Sequence, residues 1–380
     1  MTMPAGRPVP VLLMVRELDQ GGIERDVAKV AMHIDRSRFE PHVASYNAHG
    51  LRFEELRRAS VPMLHVPLPS LLSPAVIPAA ARVSRYIRKH GIQLVHAYDA
   101  SVAFLAPLAR CLRVPVVLSS MLGHRALLDK RSHRLLRMTD HLVDAVIVNC
   151  QAMRRHLIED ENVPAERIEL CYNGVDMREF YPQEQPRPEV VADDSLVIGS
   201  VCALRPEKAL DVLQEAFARI RHLASGLKLL IVGSGAELPR LQANSARLGL
   251  TDVNVFVPAT PEVARFLRAM DIFVLCSHSE AFSNALLEAM ACGCCAIGSR
   301  VGGTPELLGP DSFDNEERGL LCRPGDAADL AEKLRLLILN PELRHKLRAR
   351  AAHFASTNLT VEKNVQRTAE IYEIMLRRKT

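Results

Sequence analysis

The chain has 380 residues, 48% hydrophobic and 24% charged, which is the balance of a folded protein of about two domains and not of a disordered one. A formal charge of +4 demands no nucleic-acid partner, and with no Trp and 4% aromatic residues the chain is poorly supplied with stacking platforms for polysaccharide or single-stranded nucleic acid. No run reaches the roughly 18 apolar residues of a membrane-spanning helix, and nine scattered Cys, an odd number, point to reduced thiols.

The charge is uneven: 24 basic and 18 acidic residues precede or include Arg178, against 24 and 26 beyond it. The excess positive charge therefore lies in the first half. The run from Val9 to Val15 ends against Arg16 and Glu17 with no small-residue cleavage signal, so it reads as a first strand and the expected location is the cytoplasm. Further short apolar runs, the pattern of parallel strands covered on both faces, follow at His42 to Tyr46, Met63 to Val66, Leu94 to His96, Val116 to Ser119, Ala145 to Val148 and Ile168 to Cys171. Helical windows separate them, among them Ile23 to Ile34, Pro78 to Lys89 and Ser101 to Leu112.

From Tyr181 to Ser195 the pattern breaks into Pro182, Pro186 and Pro188 among polar and acidic residues, the composition of a linker. Strand-like runs then resume at Leu196 to Val201, Lys228 to Val232, Val253 to Val257, Ile272 to Cys276 and Cys295 to Gly298. The tail closes with helices at Pro341 to Phe354 and Val361 to Leu376, the last burying Val361, Val365, Thr368, Tyr372 and Met375 on one face. The fold expected is α/β: two Rossmann-like doubly wound parallel-sheet domains, 1–180 and 196–360, facing a central cleft, with the helix in 361–380 packing back on the first. A ligand is expected outside the carboxyl ends of the strands.

The most informative stretch is SHSEAFSNALLEAMACGCCAIGSRVGGTPELL, from Ser277 to Leu308. Ser283 or Asn284 is placed to cap a helix through Leu286, Leu287 and Met290, which leaves Glu280 in the loop before it and puts Glu288 more than one turn inside. Backbone N–H groups at a helix N-terminus suit an anion or a polar sugar, and a carboxylate suits the paired hydroxyls of a ribose. Two cations at a helix start, Arg205 and Lys208 in ALRPEKALDVLQEAF, oppose its dipole unless an anion lies there.

Glu280 and Glu288, with seven residues between them and followed by Gly302 and Gly303, resemble the signature of the family 4 retaining glycosyltransferases, whose two-Rossmann architecture is called GT-B. The resemblance extends in order along nearly the whole chain: Gly21 and Gly22 in LDQGGIERDVAKVA, the Asn173 to Asp176 tetrapeptide, Arg205 with Lys208, Gly233 and Gly235 in IVGSGAEL, and Asp271 in MDIFVLCS. It implies that the first domain takes an acceptor and the second a nucleotide diphosphate sugar, transferred with retention. Glu288 is then assigned to the ribose, Arg205 and Lys208 to the diphosphate, and Glu280 with the backbone at Phe282, Ser283 and Asn284 to the sugar. Gly21, Gly22, Gly233 and Gly235 are donor-side loop glycines, the last two equally readable as a plain turn.

No metal and no other cofactor is expected: the chain contains no Asp-x-Asp, and Arg205 and Lys208 stand where a metal would neutralise the leaving diphosphate. Many relatives carry a His in the loop after the fifth strand, where this chain has Met121; His124, three residues later, is a catalytic-site candidate. His96 and Asp99, at a strand end, are acceptor-side candidates, and Ala281 stands where relatives often have Gly. Cys292, Cys294 and Cys295 lack the second pair a zinc site needs and read as buried small residues. Lys130, Arg134, Arg137 and His141 line one helix face in the segment from Arg125 to His141, a solvated face or a peripheral contact with anionic lipid on the inner side of the cytoplasmic membrane.

The function this implies is hexosyl transfer to a glycan or lipid-linked acceptor in envelope or exopolysaccharide synthesis. The alternatives are a nucleotide-sugar epimerase on the same fold, which the Glu280 and Glu288 spacing disfavours, and a non-catalytic nucleotide-sugar-binding scaffold, against which the retained charged set argues. A dinucleotide oxidoreductase is disfavoured by the lack of a complete G-x-G-x-x-G after the first strand.

Overall fold

The structure, a computed structural model, describes residues 7–19, 21–123, 130–191, 195–309 and 316–379, without the side chains of 130–132 and 135. It divides into two compact units: 1–173 together with 361–380, and 174–360. The proline-bearing stretch 181–195 lies inside the second. Where the chain leaves and re-enters that unit, the two segments run side by side, with the Val175 N–H donating to the Leu359 carbonyl at 2.8 Å and a parallel bridge between Val175 and Thr360.

In the first unit, strands β1 (Val9–Val15), β2 (Phe39–Ser45), β3 (Met63–His65), β4 (Leu94–Ala97), β5 (Val116–Met121), β6 (Ala145–Val148) and β7 (Ile168–Leu170) form one parallel sheet in the order β3-β2-β1-β4-β5-β6-β7. Helices cover both faces, which is why β1, β4, β5 and β6 are buried almost residue by residue instead of alternating. The final helix, Val361–Arg377, packs here: Val361, Val365, Thr368, Tyr372 and Met375 are all buried, the first, second, fourth and fifth within one apolar core with Val27, Ala31 and Phe39.

The second unit holds β8 (Leu196–Val201), β9 (Leu227–Val232), β10 (Asn254–Val257), β11 (Ile272–Leu275), β12 (Cys295–Ser299) and β13 (Gly319–Cys322), parallel in the order β10-β9-β8-β11-β12-β13. The edge strand β13 was not among the expected runs. It contributes only the four residues GLLC, too few to show a period.

Both sheets are doubly wound, so each reverses its strand order at one point: between β1 and β4 in the first, between β8 and β11 in the second. In doubly wound sheets the loops leaving the carboxyl ends of the strands diverge at such a point and form the crevice where ligands bind. Among the described residues no helix is long and apolar enough to cross a membrane.

Candidate functional site

In the second unit, three loops leaving β8, β11 and β12 are clamped together. Beyond β8 the chain makes a tight turn of 3-10 helix, Pro206–Lys208, before helix Leu210–Ile220. The junction residue, Ala209, is buried in the left-handed region at φ 48°, a conformation that costs a non-glycine residue about 1–2 kcal/mol. It is held by the Cys276 thiol, whose Sγ lies 3.2 Å from the carbonyls of Lys208 and Ala209, and by the His278 N–H donating to the Glu207 carbonyl at 2.8 Å.

This clamp brings Lys208 to Glu280. Lys208 Nζ lies 2.5 Å from Glu280 Oε1, and the Ser277 hydroxyl donates to the same oxygen at 2.7 Å. The pair thus crosses the switch point of the sheet. Arg205 sits at the start of the turn with its side chain 68% exposed and only a loose 3.9 Å approach to Glu207. One cation is therefore neutralised in place and a second projects freely enough to meet an anion.

The third loop enforces the position of Glu280. A Cβ on Gly302, which has φ +50°, would lie 1.8 Å from the Glu280 carbonyl oxygen, and the Gly303 N–H donates to the Ala281 carbonyl at 2.6 Å. Only glycine tolerates both the conformation and the approach. Ser283 caps helix Asn284–Ala291 by accepting from the Leu286 N–H at 3.3 Å, and Glu288 is buried inside that helix. The helix N-terminus therefore opens at the same crevice as Glu280 and Lys208.

Gly233 and Gly235 have a demonstrable packing role. A Cβ would meet the Cys202 carbonyl oxygen at 1.9 Å in the first case and the Leu204 carbonyl oxygen at 2.2 Å in the second. The loop after β9 is thereby pressed onto the loop that carries Arg205. Among the described residues no group of three His, Cys, Asp or Glu could hold a metal ion. Cys292, Cys294 and Cys295 are buried, and burial raises all three thiols, to about 12 for Cys292 and Cys295.

The first unit arranges its switch point differently. Asp99 accepts from the Arg16 N–H at 2.8 Å and from the Ser101 N–H at 2.7 Å, tying the loop after β1 to the loop after β4. Burial raises its carboxyl, against the lowering effect of those hydrogen bonds. Gly21 caps helix Gly22–His33 with an ordinary extended backbone; a Cβ there would meet only the movable Glu24 carboxylate, at 1.8 Å.

His96 does not face the crevice. It is 1% exposed, with Nδ1 2.7 Å from the Tyr372 hydroxyl and Nε2 2.7 Å from the Ser120 hydroxyl, and burial lowers its pKa to about 3. Both ring nitrogens are occupied, so the side chain anchors the last helix and is withdrawn from any acceptor. Met121 is buried at the end of β5, while His124 and residues 125–129 lie outside the described residues. On helix Lys130–Asp140, Arg134 and Met138 are exposed, and Arg137 and His133 both engage the buried Glu161, at 3.3 and 2.6 Å.

Ser277 and the carbonyl contacts of Gly302 were not anticipated as parts of the site. Ser277 precedes Glu280 by one turn-length, a spacing too common to single it out.

Two family models divide the chain between them: "Glycosyltransferase Family 4" matches residues 20–179 and "Glycosyl transferases group 1" matches residues 182–354. The chain belongs to the family 4, group 1 glycosyltransferases. Among the relatives of this glycosyltransferase, the N-acetyl-alpha-D-glucosaminyl L-malate synthase of Bacillus anthracis is 30% identical over 217 residues, 56% of this chain and 55% of the relative. The D-inositol 3-phosphate glycosyltransferase of Saccharomonospora viridis is 31% identical over 215 residues, 53% and 49% of the two chains.

The chain spans about half the length of the curated relatives it matches. Solved structures match more of it at lower identity. The Anabaena protein HepE, in complex with UDP and glucose, superposes with a TM-score of 0.82 at 20% identity, covering 96% of this chain and 100% of HepE. A glycosyltransferase from Rickettsia africae gives 0.83 at 21%, covering 97% and 99%. These likenesses establish the GT-B fold.

Proposed function

We propose that this glycosyltransferase moves a hexose from a nucleotide diphosphate sugar to a glycan or lipid-linked acceptor, with retention and without a metal, in the assembly of an envelope or exopolysaccharide glycan. The observation that carries the reading is the convergence of Lys208, Glu280 and exposed Arg205 on one switch point. A cation already paired and a cation still exposed, beside a helix N-terminus, make a place for a diphosphate; the carboxylate beside them makes a place for sugar hydroxyls. Glu288 is assigned to the ribose, and the backbone at Phe282, Ser283 and Asn284 to the sugar. The UDP and glucose in the HepE structure support a donor of this class.

In the reaction the bond between the anomeric carbon and the diphosphate oxygen breaks while the acceptor oxygen bonds to that carbon on the same face. The acceptor proton passes to the departing phosphate oxygen, so no side-chain base is assigned. Negative charge grows on the diphosphate as it leaves, and Arg205 and Lys208 stabilise it more in the transition state than in the ground state. The exposed Arg134 and Met138 fit a peripheral contact of the Arg125 to His141 segment with anionic lipid, as a lipid-linked acceptor would require.

The test is a hydrolysis and transfer screen with UDP-, GDP- and ADP-sugars on the wild type and Glu280→Ala. One donor class is expected to turn over, with an α-linked donor giving an α-linked product, and Glu280→Ala to lose about a hundredfold or more. Turnover of no donor, equal rates in the variant, or an inverted anomer would overturn the corresponding part of the reading.

A further inference from the structure

The positive excess of the first half is concentrated. Residues 56–128 contain nine Lys and Arg and a single carboxylate, Asp99, which is committed to two backbone N–H groups. Four of the nine, Arg82, Arg85, Arg88 and Lys89, lie on helix Val76–His90, and all four are exposed. Among the described residues none of the four makes an ion pair. A helix whose cations served solubility alone would gain by interleaving acids at i+4, and this one has none.

The same outer face continues into apolar residues. Ile77, Ala81, Arg85 and Arg88 follow one another along the helix surface, with Pro78, Arg82 and Lys89 beside them, while Ala79, Val83 and Ile87 are buried on the opposite side. Ile77 is 74% exposed, and Leu72, in the loop just before the helix, is 93% exposed. Isolated exposed aliphatics are common, but two this fully exposed at the tip of an unpaired cationic stripe are not explained by packing. The neighbouring helix Val102–Cys111, which packs against this one, adds outward Pro107 and Cys111 and no acid.

We propose that helix Val76–His90, with Leu72 before it, is a docking face for an anionic lipid bilayer. The cations meet the headgroups while Leu72 and Ile77 enter the acyl boundary, the division of labour of an interfacial amphipathic helix. Nucleic acid would use the cations but leave the aliphatics in water, and the one aromatic ring of the helix, Tyr86, is half-buried against the rings of His42 and His90. The surface uses none of the residues assigned to the transfer reaction and lies on a different helix from Lys130–Asp140.

Flotation of the full chain with phosphatidylcholine vesicles, with and without phosphatidylglycerol, tests this. Binding is expected only with the anionic lipid, and it should weaken with salt. Each cation near such a surface is worth about fivefold in partition, so Arg82→Glu/Arg85→Glu/Arg88→Glu should lose well over tenfold while Arg134→Glu loses about fivefold or less. Leu72→Ser/Ile77→Ser should bind more weakly than wild type, most visibly at high salt, where the headgroup attraction is screened. An unchanged thermal midpoint shows that the variants are folded. Failure of the wild type to float, equal flotation of the triple variant, or retention on RNA or heparin without flotation overturns the proposal. If no sugar donor turns over but flotation behaves as stated, the docking face stands and the reaction assigned above falls.

Discussion

In the first unit the loops after β1 and β4 meet through Asp99, which spends its carboxylate on two backbone N–H groups. In the second the loops after β8 and β11 are tied by the Cys276 thiol and the His278 N–H, and meet in addition through two side chains, Lys208 and Glu280. The winding of the sheets is the same, and so is the position of the crevice. A carboxylate that accepts from backbone is structural because moving it unties the loops. A carboxylate facing an ammonium, with an exposed, loosely held guanidinium nearby, leaves charge that a ligand can rearrange. The two switch points thus differ in what the converging loops present, not in the topology that makes them converge.

The largest expected effect separates these two roles. Lys208→Ala should lower donor turnover by about 10²–10³-fold, the cost of losing one fixed charge from a transition state. It also leaves Glu280 beside Ser277 without its cation. Asp99→Asn should instead act on stability, by about 1–2 kcal/mol in chemical denaturation, because the amide keeps one acceptor oxygen for two N–H donors. If Lys208→Ala turned over normally, the contrast between the two crevices would disappear.

Glycine substitutions sharpen the comparison in terms of backbone. At Gly302 an added Cβ meets the Glu280 carbonyl, which cannot move without displacing Glu280, and φ is +50°. Gly302→Ala should cost about 3 kcal/mol and reduce donor turnover with it. At Gly21 the obstacle is the end of the Glu24 side chain and φ is −76°, so Gly21→Ala should change stability by less than about 0.5 kcal/mol. Paired urea titrations check both, and similar costs at the two positions would contradict the geometry.

Much of this arrangement was readable in the chain. Strand-length apolar runs located twelve of the strands, and the place before LLEAMA narrowed the cap to Ser283 or Asn284, of which the fold uses Ser283. The charged set at Arg205, Lys208 and Glu280 could be named, but their meeting could not: Lys208 and Glu280 are 72 residues apart, and the turn that joins them depends on an unfavourable φ at Ala209 that local propensity argues against. His96 illustrates the opposite failure. Its position near a strand end suggested exposure to the crevice, yet all four residues of β4 are buried, and its partner Tyr372 lies 276 residues away. No local pattern carries that information.

His96 also gives the first unit an acid sensitivity. Its folded pKa, about 3, lies below the ordinary 6.5, so the unfolded chain takes up a proton first as pH falls. The contribution is fully present above about pH 6.5 and is lost progressively down to about pH 3, at roughly 1.4 kcal/mol per unit. Between pH 6 and 4.5 the wild type should lose about 2 kcal/mol more than His96→Gln, as measured by urea midpoints at each pH. Equal slopes would mean that the imidazole titrates freely and is not sealed by the last helix.

The last test concerns that seal itself. Tyr372 places its hydroxyl 2.7 Å from His96 Nδ1 and its ring edge-on to Phe39, with centroids 5.7 Å apart, so it closes the core around β1 and β4 by one polar and one apolar contact. Tyr372→Phe retains the ring and removes only the hydroxyl, leaving a buried ring nitrogen without its neighbour. The expected cost is about 1 kcal/mol, seen as a lower urea midpoint with an unchanged slope, since the exposed area of the unfolded chain is unaltered. A cost of this size, with the helix Val361–Arg377 still protected from proteolysis, would show that the return of the chain to the first unit is held mainly by its apolar face. Release of the helix by so small a change would instead make the hydrogen bond to His96 the decisive fastening.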